Sequence, residues 1–207
     1  MNLPNALTLL RIFLVPLLIA FLFSTRLPRH ELYATAIFLA AAITDWFDGF
    51  FARRRKQVTT LGILLDPIAD KLLISAAFIS LVQVAPDMAP AWMVVIIIGR
   101  EFAVTGLRAI ASAHGFTISA NELGKAKLVS QVIAITIIIL AHTYPQLLGV
   151  NLRFWGRVAL WLVVIFALLS AFTYFRRFWQ QIDESVKRQR KFSPRGQAME
   201  SAARPQS

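Results

Sequence analysis

The sequence predicts an all-α integral membrane protein with six transmembrane helices and both termini on the cytoplasmic side. Three observations lead to this fold class. Of the 207 residues, 57% are hydrophobic and the mean hydropathy is +0.61, whereas soluble globular domains contain roughly 45–50% apolar residues. The apolar residues gather in runs long enough to cross a bilayer. Basic residues concentrate in alternate connections between these runs, which indicates an orientation.

Six apolar segments are predicted to be helices. Because lipid offers no hydrogen-bond partners, a spanning segment must satisfy its own backbone polar groups, and an α-helix does so. The predicted spans cover residues 7–25, 32–52, 61–84, 91–112, 124–143 and 154–178. They form one membrane domain over residues 1–182. Residues 183–207 are a basic tail, poor in apolar residues and predicted to be disordered towards its end.

The distribution of the basic residues gives the orientation of the predicted helices. Fourteen of the 22 Lys and Arg lie on one side of the membrane: the "RRRK" at 53–56, Lys125, Lys127, and the tail from Arg176 onward. The opposite side has only Arg26, Arg29, Arg153 and Arg157. The positive-inside rule therefore predicts cytoplasmic termini. The formal net charge of +11 is interpreted as attraction to anionic membrane lipids, not to nucleic acid.

Four aspartates flank the connection between the second and third spans, in "DWFDGFFARRRKQVTTLGILLDPIAD". Asp45 and Asp48 are three residues apart, and Asp66 and Asp70 are four apart, so each pair lies on one helix face. Carboxylates brought together repel unless protons or cations neutralise them. Ligand sets made of oxygen alone suit Mg²⁺, Mn²⁺ or Ca²⁺. Two such ions would be suited to phosphoryl chemistry.

The residues around these aspartates also suit a phosphate-bearing substrate. Gly49 and Gly62 permit close approach of a backbone or a ligand, and Ala52 keeps the same helix face narrow. Arg53 can pair with a phosphate or with an aspartate.

The chain has no cysteine, which excludes disulfides, thiolate metal sites and a cysteine nucleophile.

With these residues the chain resembles the CDP-alcohol phosphotransferase family, whose signature is D-x-x-D-G-x-x-A-R, eight residues, then G-x-x-x-D-x-x-x-D. The resemblance implies a six-helix fold, a homodimer and an active site at the cytoplasmic membrane surface. It implies transfer of a phosphatidyl group from CDP-diacylglycerol to an alcohol with release of CMP, assisted by two Mg²⁺ or Mn²⁺ ions. It further implies that Asp45, Asp48 and Asp66 are metal ligands, and that Asp70 is both a ligand and the general base.

The resemblance also implies a set of residues that bind the cytidine diphosphate. These residues are Asp45, Asp48, Gly49, Ala52, Arg53 and Gly62, together with Asn5 and Thr8 of the N-terminal segment.

Two further segments bear on the alcohol acceptor. "GREFAVTGLR" at 99–108 places Arg100 and Glu101 in an otherwise apolar span, and Thr105 and Arg108 follow on the face of Glu101. "GKAKLVSQ" at 124–131 adds two lysines. Several cations near the cytoplasmic side predict an anion site beside the metals, although Glu101 is alternatively a structural counter-ion of Arg108.

Within the family, these segments resemble members that use sn-glycerol 3-phosphate. The resemblance therefore implies acceptor-phosphate contacts from Arg100, Thr105, Arg108, Lys125 and Lys127, in a bacterial cytoplasmic membrane. Members that form cardiolipin, phosphatidylserine or inositol phosphate lipids are alternatives. A divalent-cation transporter is a third possibility, which is disfavoured because the fifth and sixth predicted spans carry no carboxylate.

Overall fold

A computed structural model of the chain describes residues 3–24, 26–55, 60–113, 122–147 and 149–192. Within these ranges, the side chains of residues 3–5, 45–55, 60–67, 70, 122–125 and 183–192 lie outside the description.

The described residues form six helices and one very small sheet. The helices are α1 (Leu3–Leu22), α2 (His30–Arg55), α3 (Thr60–Val84), α4 (Ala91–Ala113), α5 (Glu122–Thr143) and α6 (Leu152–Phe192). Each helix coincides with or overlaps one predicted span, so the prediction of a helical protein is confirmed. The largest difference is in α6, which continues to Phe192 and, at 41 residues, is about 60 Å long.

Two helical segments are long and apolar enough to cross a membrane among the described residues, namely Ala126–Thr143 and Leu152–Ile182. Three further apolar helical stretches are shorter: Ala6–Leu22, His30–Thr44 and Lys71–Val84. That all six helices span the membrane, with both termini in the cytoplasm, stays a prediction.

Small side chains hold the helices close together. Alanines at the helix contacts are fully buried, among them Ala41, Ala77 and Ala134. Small residues let helix backbones approach closely, which favours helix packing in lipid. The outer surface is strongly apolar, since Phe13 is 72% exposed and Phe172 is 67% exposed. An apolar exterior around a packed interior is what a lipid-facing bundle requires.

A two-residue hairpin joins α5 to α6, which the sequence did not indicate. Strands β1 (Gln146–Leu147) and β2 (Val150–Asn151) pair antiparallel. Gly149 adopts a φ of 80° in the turn, a conformation that glycine adopts without steric cost. Asn151 then caps α6, because its Oδ1 accepts a hydrogen bond from the backbone N–H of Phe154 at 3.1 Å.

The packing of the helices brings α3, α4 and α5 to a common meeting point. Helix α3 contacts both α4 and α5, and α6 packs against α4 and α5 from the other side. The approach of α6 to α5 is tight at Gly156, where a Cβ atom would lie 3.3 Å from Cγ1 of Ile138. The position of α6 behind α4 and α5 therefore depends on the absence of a side chain at residue 156.

We expect Gly156→Leu to destabilise the bundle by about 1–3 kcal/mol, because the added side chain overlaps Ile138. Gly99→Leu is the matched control, since a Cβ atom at Gly99 meets nothing within 4 Å. Thermal unfolding in detergent should give a lower midpoint for Gly156→Leu and an unchanged or higher midpoint for Gly99→Leu. Equal midpoints for the two variants would contradict the tight α5–α6 contact.

Candidate functional site

The four aspartates lie on the two helices that the sequence predicted for them. Asp45 and Asp48 belong to the last turns of α2, and Asp66 and Asp70 belong to the first half of α3. The helical backbone places each pair on one helix face, as expected from spacings of three and four residues. The side chains of all four lie outside the described part of the chain, so their convergence stays a prediction.

The same limit applies to most of the residues predicted to bind cytidine diphosphate. Gly49, Ala52 and Arg53 are in α2 and Gly62 is in α3, but nothing beyond their backbone is described. In α1, the side chain of Asn5 is also outside the description. Thr8 is 1% exposed and is therefore buried between α1 and its neighbours.

A buried charge cluster joins α4, α5 and α6, and we call Arg100, Glu101 and Lys127 the Glu101 cluster. Nη1 of Arg100 lies 3.2 Å from Oε2 of Glu101, and Nζ of Lys127 contacts the same oxygen atom. Both cations are buried, whereas Glu101 is partly exposed. Among the described residues, these two cations share the one carboxylate of Glu101. A cation attracts an anion more strongly inside a protein than in water.

Helix α6 completes the surroundings of Arg100. Nη2 of Arg100 donates a hydrogen bond to Oγ of Ser170, and the guanidinium carbon lies 5.9 Å from the ring centroid of Tyr174. Buried cations are tolerated only when they are paired and hydrogen-bonded. Arg100 is therefore held by α4 and α6 together.

A small cleft lies beside the Glu101 cluster, where α3, α4 and α5 meet. Its lining consists of Lys71, Ile74, Ser75, Ile97, Ile98, Glu101, Lys127, Leu128 and Gln131. The enclosed space is about 20 Å³, which is room for roughly one water molecule. Asp70 immediately precedes Lys71 in the chain, so the cleft adjoins the part of α3 that carries the aspartates.

The predicted acceptor-phosphate residues separate into different environments. Arg100 and Lys127 meet at Glu101, as described above. Thr105 donates its hydroxyl hydrogen to the backbone carbonyl of Glu101 at 2.8 Å, and Arg108 is exposed further along α4. Lys125 lies in α5, and its side chain is outside the description. Glu101 pairs with Arg100 and Lys127. These contacts do not support its alternative role as a counter-ion of Arg108.

Three polar residues of the cleft, Lys71, Ser75 and Gln131, were not assigned a role from the sequence. Gln131 is 2% exposed, and its Nε2 atom has no hydrogen-bond partner among the described residues. Ser75 lines the same space from α3. The spacing contains a signal for Gln131, because it follows Lys127 by four residues and therefore lies one turn further along the same face of α5.

No group of three or more His, Asp or Glu side chains that could hold a metal is found in the part of the chain with described side chains. The predicted ligands Asp45, Asp48, Asp66 and Asp70 all lie outside that part. Their chemistry as a donor set is nevertheless clear, because four carboxylates on two adjacent helices offer only hard oxygen ligands, which Mg²⁺ and Mn²⁺ prefer.

We expect Glu101 and Lys127 to be strongly coupled in a double-mutant cycle. Lys127→Met removes a buried cation, whereas Glu101→Gln leaves two buried cations without their carboxylate, so the second change should destabilise the protein more. The double variant should recover part of this loss, with a coupling energy of about 1–3 kcal/mol. Unfolding in detergent gives the stability of wild type, the two single variants and the double variant. Strictly additive changes in stability would contradict the shared ion pair.

Comparison with known proteins gives a consistent assignment. The family model described as CDP-alcohol phosphatidyltransferase matches residues 1–172. A CDP-diacylglycerol–glycerol-3-phosphate 3-phosphatidyltransferase of Bacillus subtilis (strain 168) is 43% identical over 195 residues, which cover 89% of this chain and 98% of that protein. A protein of the same name from Pseudomonas fluorescens is 34% identical, covering 95% of this chain and 100% of its own length.

A relative with a different name also matches. The cardiolipin synthase (CMP-forming) of Oryza sativa subsp. japonica is 32% identical over 192 residues, which cover 87% of this chain and 58% of that protein. The chain is therefore similar to relatives with two different names.

Proposed function

Because this chain belongs to the CDP-alcohol phosphatidyltransferase family, whose members are enzymes, we propose that it transfers the phosphatidyl group of CDP-diacylglycerol to sn-glycerol 3-phosphate. The products are phosphatidylglycerophosphate and CMP. The reaction type follows from the family. The acceptor is supported by relatives named for glycerol 3-phosphate, which match this chain over nearly their whole length.

The observation that carries the choice of acceptor is the Glu101 cluster. An acceptor with a phosphate group brings about two negative charges, and the lining of the adjacent cleft contains two lysines, Lys127 of the cluster and Lys71 of α3. Charge-assisted hydrogen bonds from Lys to phosphate are roughly twice as strong as neutral ones. Serine and inositol carry no phosphate, so these cations would add little to their binding.

Glu101 has a second role in this arrangement, because it holds Lys127 in place before the acceptor binds. Lys has four rotatable bonds, and ordering them costs up to about 2 kcal/mol. A lysine already fixed by a carboxylate has lost that entropy in the free enzyme. The acceptor phosphate would take over part of the interaction that Glu101 provides, while Arg100 stays bound to α6.

The four aspartates are proposed to bind divalent metal ions, which members of this family use in general. Bound to Asp45, Asp48, Asp66 and Asp70, such ions would neutralise charge on the diphosphate and polarise its phosphoryl oxygens. We propose that two ions bind at each site and that they are Mg²⁺ or Mn²⁺.

The remaining steps are assigned to residues of the chain itself. Asp70 accepts the proton of the acceptor's primary hydroxyl as its oxygen attacks the phosphorus next to diacylglycerol. A new P–O bond forms, the bond to CMP breaks, and CMP leaves as an anion. Arg53 stabilises the negative charge on the departing phosphate. Gly49, Ala52, Gly62, Asn5 and Thr8 are proposed to bind the cytidine diphosphate, with Asp45 and Asp48 beside it.

The location of the reaction is proposed from the orientation of the helices. The family is membrane-associated, and the aspartate-bearing ends of α2 and α3 would lie at the cytoplasmic surface of a bacterial cell membrane. The acyl chains of the donor lipid then stay in the bilayer while glycerol 3-phosphate approaches from water. A homodimer is part of the proposal.

Cardiolipin synthesis is the second candidate, supported by the relative from Oryza sativa. Its acceptor, phosphatidylglycerol, carries one negative charge on a phosphodiester. The Glu101 cluster favours glycerol 3-phosphate, whose monoester phosphate carries more charge and is not attached to acyl chains. Membership of a family of transferases likewise favours transfer over the transport of cations.

Release of CMP by the purified protein tests the proposed function. The assay contains CDP-diacylglycerol and Mg²⁺ or Mn²⁺ in detergent, with one acceptor at a time: glycerol 3-phosphate, phosphatidylglycerol, serine, inositol or glycerol. We expect CMP release with glycerol 3-phosphate and a rate at least ten times lower with each other acceptor, on the order expected when charged groups are left unpaired. Preference for phosphatidylglycerol would establish the second candidate instead.

We expect Asp70→Asn to lower turnover by a factor of about 10²–10⁴, because amides cannot accept the proton. Binding of CDP-diacylglycerol should largely remain. Asp87→Asn is the matched control, because Asp87 is exposed and its Oδ2 lies 3.9 Å from Nη2 of Arg157. Turnover of Asp70→Asn at a rate similar to that of Asp87→Asn would remove Asp70 from the role of general base.

A further inference from the structure

Gln131 is the buried polar group that neither the metal site nor the Glu101 cluster accounts for. Gln131 is only 2% exposed, and it lines the cleft between α3, α4 and α5. Its Nε2 donor has no partner among the described residues. A buried N–H group without a partner costs about 1–3 kcal/mol. A group that the protein itself leaves unpaired in a cleft is suited to a hydrogen-bond acceptor from outside.

The lining of the cleft has a charged level and a neutral level. Lys127 and Glu101 are in contact and therefore lie at the same level. Gln131 is four residues beyond Lys127 in α5, which is about 6 Å along the helix axis. The lining also contains Ser75, four residues beyond Lys71 in α3, and Ile97, four residues before Glu101 in α4, so each lies one helical turn from a charged residue. Gln131 is thus the neutral donor one helical turn away from the cations.

We propose that Nε2 of Gln131 donates a hydrogen bond to the central hydroxyl of glycerol 3-phosphate and so selects an acceptor with that hydroxyl. This assignment rests on the proposed function and names a specificity-determining residue for it. The phosphate of the acceptor lies at the charged level, against Lys127. The central hydroxyl, one carbon away from the phosphate-bearing carbon, reaches towards the neutral level.

The choice of a hydroxyl over a phosphate oxygen follows from charge. A phosphate placed at the neutral level would be removed from water and from Lys127, and burying an anion without a paired cation is costly. A hydroxyl is neutral, accepts a hydrogen bond from an amide and can itself donate one. The cleft has room for roughly one water molecule, and a hydroxyl group is of a similar size.

A hydroxyl contact of this kind predicts strong discrimination. A site built to hydrogen-bond a hydroxyl rejects the analogue without it, because the buried polar group is then left unpaired. The suitable analogue is 3-hydroxypropyl phosphate, which has the phosphate and the attacking primary hydroxyl of glycerol 3-phosphate but lacks the central hydroxyl. The attack and the release of CMP are chemically the same for both acceptors.

The experiment compares kcat/KM for the two acceptors in wild type, Gln131→Met and the control Gln180→Met. Methionine retains the length of glutamine without its amide, and Gln180 is an exposed residue of α6 outside the cleft. We expect wild type and Gln180→Met to prefer glycerol 3-phosphate by about 100-fold or more. In Gln131→Met that preference should fall to below about 10-fold, mainly through a lower kcat/KM for glycerol 3-phosphate.

The ratio within one variant does not depend on how much of that variant is folded, so a purely structural role of Gln131 would leave it unchanged. An equal loss for both acceptors in Gln131→Met would overturn the assignment and place the amide on the phosphate or on a structural water. Equal use of both acceptors by wild type would also overturn it. Absence of CMP release from wild type with glycerol 3-phosphate would instead remove the proposed function itself.

Discussion

The carboxylate of Glu101, shared between Arg100 and Lys127, is the interaction on which the arrangement of the site depends. Two buried cations in an apolar bundle need a counter-charge, and a single residue of α4 provides it for both. Through Lys127 it fixes α5, and through Arg100, which binds Ser170, it fixes α6. The two lysines that line the adjacent cleft, Lys127 and Lys71, make this part of the bundle suitable for an anionic acceptor.

The division of charge over the helices separates the two halves of the proposed reaction. The four aspartates are on α2 and α3, and the described cations of the Glu101 cluster are on α4 and α5. Helix α3 contacts both groups of helices, so it joins the proposed donor site to the proposed acceptor site. The cleft beside Lys71 and Gln131 lies at this junction, which is why a residue there can affect the choice of acceptor without binding the nucleotide.

Hydropathy predicted the helices well and the contacts between them poorly. The apolar run that predicted residues 61–84 ends with α3 at Val84, because burial of apolar side chains decides where such a helix lies. It did not predict that α6 continues to Phe192, since a helix can extend beyond its apolar part by backbone hydrogen bonds alone. Nor could it pair Arg100 with Ser170, 70 residues away, because that contact depends on how α4 packs against α6.

For the site, local spacing was informative wherever the partner lies on the same helix. The spacing of the aspartates placed each pair on one face, and the helical backbone agrees. Lys127 contacts Glu101 of another helix, which local spacing does not reveal. Gln131 is recognisable by its burial and by its Nε2 atom, which has no hydrogen-bond partner among the described residues.

The central claim is that Lys127, held by Glu101, binds the acceptor phosphate next to the aspartate site, and paramagnetic broadening by Mn²⁺ tests it most directly. The measurement follows the ³¹P resonance of glycerol 3-phosphate in detergent with Mn²⁺ and either wild type or Lys127→Met. We predict that wild type broadens the ³¹P resonance of glycerol 3-phosphate strongly. With Lys127→Met, the broadening should be close to that in a sample with Mn²⁺ and no protein. The ³¹P signals of a bound cytidine diphosphate should broaden equally with both proteins. Undiminished broadening of glycerol 3-phosphate in Lys127→Met would contradict the claim.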